Sequence, residues 1–445
     1  MAYIKEPAKK LRVAGKYDVL VCGGGPAGIG AAISAARNGA KTLLVEQSGF
    51  LGGMGTGALV PTFAPSAMSG APLIKGIHAE ILALLNIGDG SNDTWPPIDP
   101  EKTKYAYDLL MEKAGVELLF FTRISGVIKS GRKLDCIIIE NKSGRQALRA
   151  KYFIDCTGDA DAAAMAGVSF RKGGKNGAMQ PASNCFTVAG IDDKKFEAIR
   201  KKNNAHDLKL SDKMRADEGK ALLPEVPLGE YRFLLETKFE KGYWGFNFGH
   251  LFNMDGTDAG DLSSAAQKGR RIANNFIAYA RKKLPGFKNA YLVSVGQAVG
   301  IRETRIIEGE YTMTVEDYLN RTKFHDSVAV YDYPIDMHQT DKSLKSFKIS
   351  HKGFTRDYLL SPGEYYSIPF RALIPKGKDN LLVAGRSMSC DRQVQAATRV
   401  MPLCVATGEA AGLAASMAAK QGNRFKDTDT KLLREKLIKQ GARVD

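Results

Sequence analysis

Two rhythms of apolar and polar residues follow each other near the start of the chain. Tyr17 to Cys22 is a run rich in Val and Leu, the pattern of a parallel strand buried on both faces. From Pro26 the pattern becomes that of a helix with one small side, Ala27, Ala31, Ala32 and Ala35, stopped by Asn38-Gly39. Lys41 to Glu46 is a second buried strand. The turn before the helix holds Gly23, Gly25 and Gly28 in G-x-G-x-x-G spacing, with Pro26 suited to the first helical turn.

That order of strand, glycines, helix and strand carries chemistry. Gly23 and Gly25 permit a tight turn and let a pyrophosphate approach the backbone, while Gly28 lets the helix lie close on the strand. The phosphates then face the free N–H groups at the helix's positive end. Glu46 lies 23 residues after Gly23, where a carboxylate accepts hydrogen bonds from both adenosine ribose hydroxyls; a nucleotide with a 2′-phosphate is disfavoured. Next comes a short loop crowded by Gly49, Gly52, Gly53, Gly55 and Gly57. Such density means backbone running close against something flat, and it points to a cofactor that continues past the pyrophosphate, as the isoalloxazine of FAD does.

Further on, Glu101 to Gly115 reads as a helix with Tyr105, Leu109 and Leu110 on its apolar side, and Val116 to Thr122 as a strand. Ile124 to Lys129, Leu134 to Glu140 and Gln146 to Tyr152 form a three-stranded meander. Phe153 to Asp155 leads into Thr157-Gly158-Asp159 and an Ala-rich helix, which offers small residues and N–H donors near a cofactor. Residues 178–364 change to mixed strands, a basic helical stretch and aromatic loops, with no second glycine fingerprint. Leu381 to Ala384 is another buried strand, followed by Gly385 and, after Arg399-Val400-Met401, a helix of small residues from Pro402 to Ala419. Its N-terminus, with Arg399 beside it, suits the negative charge of a reduced flavin.

Composition narrows the class. The 445 residues, 44% of them apolar, mark a globular chain of two or three domains' worth of core. The charged N-terminus lacks a following apolar run and no run is long enough to span a bilayer, so a cytoplasmic protein with no membrane partner is expected. Six scattered cysteines show no metal spacing, and the six histidines form no H-x-x-x-H pair, so no metal is expected. The net charge of +16 raises nucleic acid as a partner, but the basic residues are spread out and the densest cluster, 201–220, is interleaved with acids. A solvated basic surface is the simpler reading.

Gly296 to Tyr311 carries Arg302, Glu303, Arg305 and Glu308. At helical spacing the two arginines share a face, either as part of a salt-bridged helix or as a clamp for a substrate carboxylate. Arg302 and Arg305 are therefore the candidates for substrate binding, and Tyr311 or His250 for proton transfer.

Together these segments resemble the bacterial FAD dependent oxidoreductases of the glutathione-reductase-like fold. The resemblance rests on YDVLVCGGGPAG with Glu46, LGGMGT at 51–56, IDCTGDADAA at 154–163, MDGTDAGDL at 254–262, GIRETRIIEGEY at 300–311, and NLLVAGRSMS through RVMPLCVATGEAAG at 380–412. It implies an α/β fold: a Rossmann-like FAD-binding domain, parallel sheet plus three-stranded β-meander, discontinuous over 1–177 and 365–445, with an α+β substrate domain inserted at 178–364. It further implies that Gly23, Gly25, Pro26, Ala27, Gly28 and Glu46 hold the ADP half and that the backbone near Ile124 meets the adenine. Gly53, Met54 and Thr56 would lie along the flavin, with Thr157, Gly158, Gly385, Arg386 and Arg399–Met401 completing the pocket. No H-x-x-G-G segment is present, so FAD is expected without a covalent link; no C-x-x-x-x-C pair is present, which excludes a dithiol reductase.

The function expected is hydride transfer between FAD and a small organic molecule, an anionic one being one option. Electron exchange with a protein partner or oxygen, and modification of tRNA, are the alternatives; a homo-oligomer is left open.

Overall fold

A computed structural model describes residues 4, 7–174, 177–202, 234–338 and 360–445; most of the basic cluster at 201–220, with His206, and also His351, lie outside these. The first strand, β1 (Val13–Cys22), pairs in parallel with β2 (Thr42–Val45), which pairs with β3 (Glu117–Leu119). β4 (Arg123–Ser130), β5 (Lys133–Asn141) and β6 (Gly144–Asp155) form the meander. The meander's third strand and Phe153–Asp155 are one continuous strand. β6 pairs with β1 along one edge, while its other edge pairs first with β5 and then with β15 (Leu381–Val383), giving one seven-stranded sheet. Residues from both ends of the chain thus share a sheet, and the fold is α/β.

Two helices of small residues lie on this sheet. In α1 (Pro26–Arg37) a Cβ on Gly30 would stand 2.2 Å from the Val405 carbonyl oxygen; in α9 (Met401–Gln421) Cβ atoms on Gly408 and Gly412 would stand 1.9 and 2.1 Å from the carbonyls of Ala27 and Ala31. The small side foreseen on α1 therefore meets the small side of α9, backbone against backbone. Around this pair pack α2 (Ile77–Leu85), α3 (Pro100–Ala114) and α10 (Thr430–Lys439), and the antiparallel pair β13 (Ser327–Tyr331) and β14 (Tyr366–Pro369) joins the same core. α3 buries Tyr107, Leu110 and Met111 rather than Tyr105, which is exposed. Its apolar side is set one turn-step away from the expected one, because Thr103 and Ala106 complete the inward stripe.

The short helix α4 (Asp161–Met165) follows the Thr157-Gly158-Asp159 turn. Beyond it, β8 (Phe186–Ala189), β9 (Leu234–Glu240), β10 (Tyr243–Phe248) and β11 (Tyr291–Val295) make an antiparallel sheet in the order β11-β8-β10-β9. Its core, with α5 (Asp193–Lys202) and α6 (Ala259–Lys283), is aromatic: Phe186, Phe196, Trp244, Phe246 and Phe276 are fully buried.

Residues 296–311 are not a helix. Gly300 bridges Ser183, and β12 (Arg305–Ile307) pairs with β7 (Phe170–Lys172). Glu303 finds its arginine 89 residues away, in Arg392 of α8 (Arg392–Thr398), and not at helical spacing. The pairing of β12 with β7 and the close approach of Gly300 to the Ser183 carbonyl, 2.9 Å from a built Cβ, go with non-helical chain here. The short α7 (Val315–Leu319) starts only beyond, at a capping box formed by Thr314 and Asp317.

Candidate functional site: a glycine-lined cleft and an adjoining polar cavity

A cleft of about 740 Å³ runs along the carboxyl ends of β1, β2, β6 and β15, where open α/β sheets place their ligands. Gly23, at φ +98°, turns the chain out of β1, since a Cβ there would meet the Cys156 carbonyl oxygen at 2.7 Å. A Cβ on Gly28 would stand 1.9 Å from the Gly23 oxygen, so Gly28 serves helix packing and does not border the cleft. Gly25 differs from both. Its φ is −73°, ordinary for any residue, and a Cβ there meets nothing within 4 Å. It is a gap in the cleft wall, at the N-cap of a helix that has no side-chain cap. Both features fit a pyrophosphate taking that space and those N–H groups.

Glu46 borders the cleft with its carboxylate anchored by the N–H groups of Gly24 and Ser48, both at 2.7 Å. Each oxygen keeps further acceptor capacity. The glycine loop crosses above, with Gly53 packed on the Gly25 Cα at 3.0 Å from a built Cβ. Met54, Thr157, Gly158, Gly385, Arg386, Arg399 and Met401 continue the wall, together with Pro26 and Ala27. Below the Thr157-Gly158 turn, Asp155 accepts from the N–H groups of Thr157 and Ala163 and from the Thr157 hydroxyl; burial pushes its carboxyl up to about 6 against those bonds.

Next to this cleft lies a second cavity of about 160 Å³. Met54, Ile301, Arg386, Arg399 and Met401 border both spaces. Its polar wall brings together Arg302, Asn247, Asp336 and His338. Arg399 Nη2 reaches the Asp336 carbonyl at 3.2 Å and its carboxylate at 3.5 Å. His338 Nε2 stands 3.5 Å from Asp336 Oδ2, and its Nδ1 lies 3.2 Å from Nε2 of the buried His250. Burial, with Arg302 adding and Asp336 opposing, pushes His338 down to about 4, so this imidazole is neutral near pH 7. Burial opposes ionisation of Asp336 too, but His338, Arg399 and Arg302 outweigh it and hold the carboxyl below the ordinary range.

Residues 18–437 match the family described as FAD dependent oxidoreductase. The chain belongs to that family. It is an FAD-dependent oxidoreductase, and FAD is its cofactor. Among solved structures, it is similar to a geranylgeranyl bacteriochlorophyll reductase-like protein from Thermoplasma acidophilum, at 15% identity and a TM-score of 0.49 over 96% of this chain and 84% of that one. A p-nitrophenol 4-monooxygenase, PnpA, from Pseudomonas putida DLL-E4 is similar at 13% identity and 0.45, over 96% and 85%. The tRNA uridine 5-carboxymethylaminomethyl modification enzyme MnmG of Dichelobacter nodosus is 33% identical over 138 residues, 28% of this chain; the match spans only 22% of that relative's length.

Several residues picked out in the sequence lie elsewhere. Thr56 is buried and closes its own loop, its hydroxyl donating to the Leu51 carbonyl at 2.5 Å. The Ile124 side chain packs in the core and does not border the cleft, whereas Phe121 does. Val400 lines the second cavity and not the cleft. Arg305 is paired with Asp161 at 2.8 Å and stacks on Phe170. Tyr311 donates to Asp317 at 2.7 Å, outside both cavities, and His250 stands behind His338. His338, Asp336, Tyr333, Trp95 and Asn247 were not foreseen. The available signal was YDYPIDMH at 331–338, where acids and a histidine interrupt an aromatic stretch. Among the described residues no cluster suits a metal, and no single helix is long and apolar enough to cross a membrane.

Proposed function

We propose that the protein moves a hydride between non-covalently held FAD and a small organic molecule bound in the cavity of about 160 Å³. When bound, FAD supplies the two-electron chemistry. The observation that carries this reading is the shared wall: five residues border both the cleft and the cavity, so the contents of one lie against the contents of the other. On this reading Gly25 and the α1 N-terminus hold the pyrophosphate, Glu46 the ribose, and Gly53, Met54 and the α9 N-terminus the flavin. Arg302, Arg399 and Asn247 orient the substrate, and His338, backed by His250 and steadied by Asp336, holds or moves its proton. Trp95, Val60 and Met401 keep water out.

The domain division is part of the same proposal. The cofactor unit is drawn from 1–177 and 365–445, and 178–364 supplies most of the polar cavity wall, although β13 within it packs into the cofactor unit's core.

The test is the visible spectrum of the purified protein under anaerobic conditions while NADH, NADPH, hydroxy acids, sugars and enoates are added in turn. A flavin band bleached by one class, and restored by oxygen or by an added acceptor, supports the reading. A flavin bleached by none of them, but reduced by a protein donor, refutes it in favour of an electron-transfer subunit.

A further inference from the structure

The small cavity holds one positive charge more than its own acids balance. Arg386 is taken up by Asp159 at 2.7 Å, and Arg399 lies 3.5 Å from Asp336. Arg302 is only 8% exposed and makes no ion pair among the described residues. Its Nη1 donates to the Pro181 carbonyl and to Ser183 Oγ at 3.1 Å, whereas Nε and Nη2 form no hydrogen bond among the described residues. Those two atoms make the side edge of the guanidinium, whose parallel N–H groups match the two oxygens of a carboxylate. A buried cation without an ion-pair partner is costly, and burial, with Arg399 adding and the charge of Asp336 opposing, pushes Arg302 down to about 10. Arg302 does not border the cofactor cleft, so its missing anion is not the cofactor.

A second group also awaits a ligand, here a hydrogen-bond donor. Asn247 Oδ1 is buried in this wall with no partner among the described residues. The rest of the wall is largely apolar, with Val60, Ala64, Trp95 and Val400, and the volume is below the about 300–1,000 Å³ of drug-sized sites.

From this we infer that the cavity binds a small monocarboxylate, its two oxygens on Nε and Nη2 of Arg302, its apolar body against Trp95 and Val60, and one further polar group on Asn247. The inference names the substrate class of the function proposed above and rests on that reading. A dicarboxylate brings a second charge that only Arg399 could meet, by giving up Asp336. Phosphate leaves the apolar wall without a partner.

The experiment uses the FAD-loaded protein with four probes: butyrate, butyramide, succinate and inorganic phosphate. Binding is read from perturbation of the visible flavin band and from the rise in Tm. Butyrate is expected to bind at least tenfold more tightly than each of the other three. Arg302→Gln should lose at least tenfold in butyrate affinity while its FAD content is retained. Butyramide binding as well as butyrate, phosphate or succinate binding better, or Arg302→Gln binding butyrate like the wild type would each overturn the inference. If the variant does not fold, the four-probe comparison on the wild type decides alone. Should an uncharged compound bleach the flavin while no carboxylate binds, the carboxylate site is refuted and the oxidoreductase reading stands. Should butyrate bind through Arg302 while no small molecule ever bleaches the flavin, the site is supported and the hydride-transfer reading fails.

Discussion

Two glycines of one motif answer to different demands, and substituting each by alanine separates them. At Gly25 the added methyl meets nothing within 4 Å and the backbone, at φ −73°, accepts it. Alanine there restricts the unfolded chain, which stabilises by about 0.4–1 kcal/mol; it is also a poorer N-cap than glycine, by a similar amount. The two terms nearly cancel, so the FAD-free protein should keep its stability to within about 1 kcal/mol. The methyl nevertheless stands where the pyrophosphate is expected, so FAD affinity should fall at least tenfold, about 1.4 kcal/mol. At Gly28 the same methyl would lie 1.9 Å from the Gly23 carbonyl oxygen, which is backbone and cannot step aside. A gain of about 1 kcal/mol in helix propensity is set against a larger overpacking cost, about 1–3 kcal/mol or more. The Gly28→Ala protein should therefore be the less stable one even without cofactor. Urea unfolding of the FAD-free proteins followed by circular dichroism, and FAD titration followed by fluorescence, measure the two effects independently. Gly25→Ala binding FAD like the wild type, or losing more than about 2 kcal/mol without it, would refute the placement of the pyrophosphate at this turn.

Other consequences follow from burial and packing. Glu409, inside α9, accepts the Ile77 N–H at 3.0 Å, and burial pushes it from 4.5 up to about 7. The folded state therefore holds a proton that the unfolded chain releases between those values, and stability from this group is lost as pH rises from about 4.5 through 7. Glu409→Gln should be more stable than the wild type at pH 8, by about 3 kcal/mol at most, with the difference gone near pH 4; an equal difference at both pH values in urea unfolding would contradict it. Gly408→Ala should lower the urea midpoint by an amount equivalent to about 1–3 kcal/mol and weaken FAD binding too, because the Ala27 carbonyl it strikes belongs to the cleft wall; unchanged FAD affinity with the loss of stability would uncouple the helix contact from the site. Tyr311→Phe should leave substrate turnover within about twofold, since its hydroxyl is spent on Asp317 outside both cavities, and cost about 1 kcal/mol for the lost hydrogen bond. A large fall in kcat with unchanged stability would return Tyr311 to the reaction.

The cofactor half of the molecule was legible because its signals are local. Gly23, Gly25 and Glu46 fall within a single β-α-β unit, so spacing along the chain is also spacing in space. The small faces of α1 and α9 could each be read as well, but not that they meet, since that depends on β15 joining the same sheet some 360 residues after β1. Tyr105 and Tyr107 show the limit even within one helix: the pattern gives an amphipathic stripe, and which of two neighbouring tyrosines faces inward depends on what packs there.

The proposed substrate cavity was legible only in its residue types. Arg302 was singled out on helical spacing that does not exist, and it reaches the cavity from irregular chain that follows the bridge of Gly300 to Ser183. His338 and Asp336 lie in irregular chain after β13, where no periodicity marks a side chain as buried. What unites these groups is charge, not sequence pattern. A guanidinium, a carboxylate and a neutral imidazole have been taken out of water into one small space, and such burial is sustained only where the groups compensate one another or await a partner. Arg399 and Asp336 pair; Arg302 feels the charge of Asp336 but forms no ion pair among the described residues and keeps two donors, and that imbalance is the reason for proposing the substrate there.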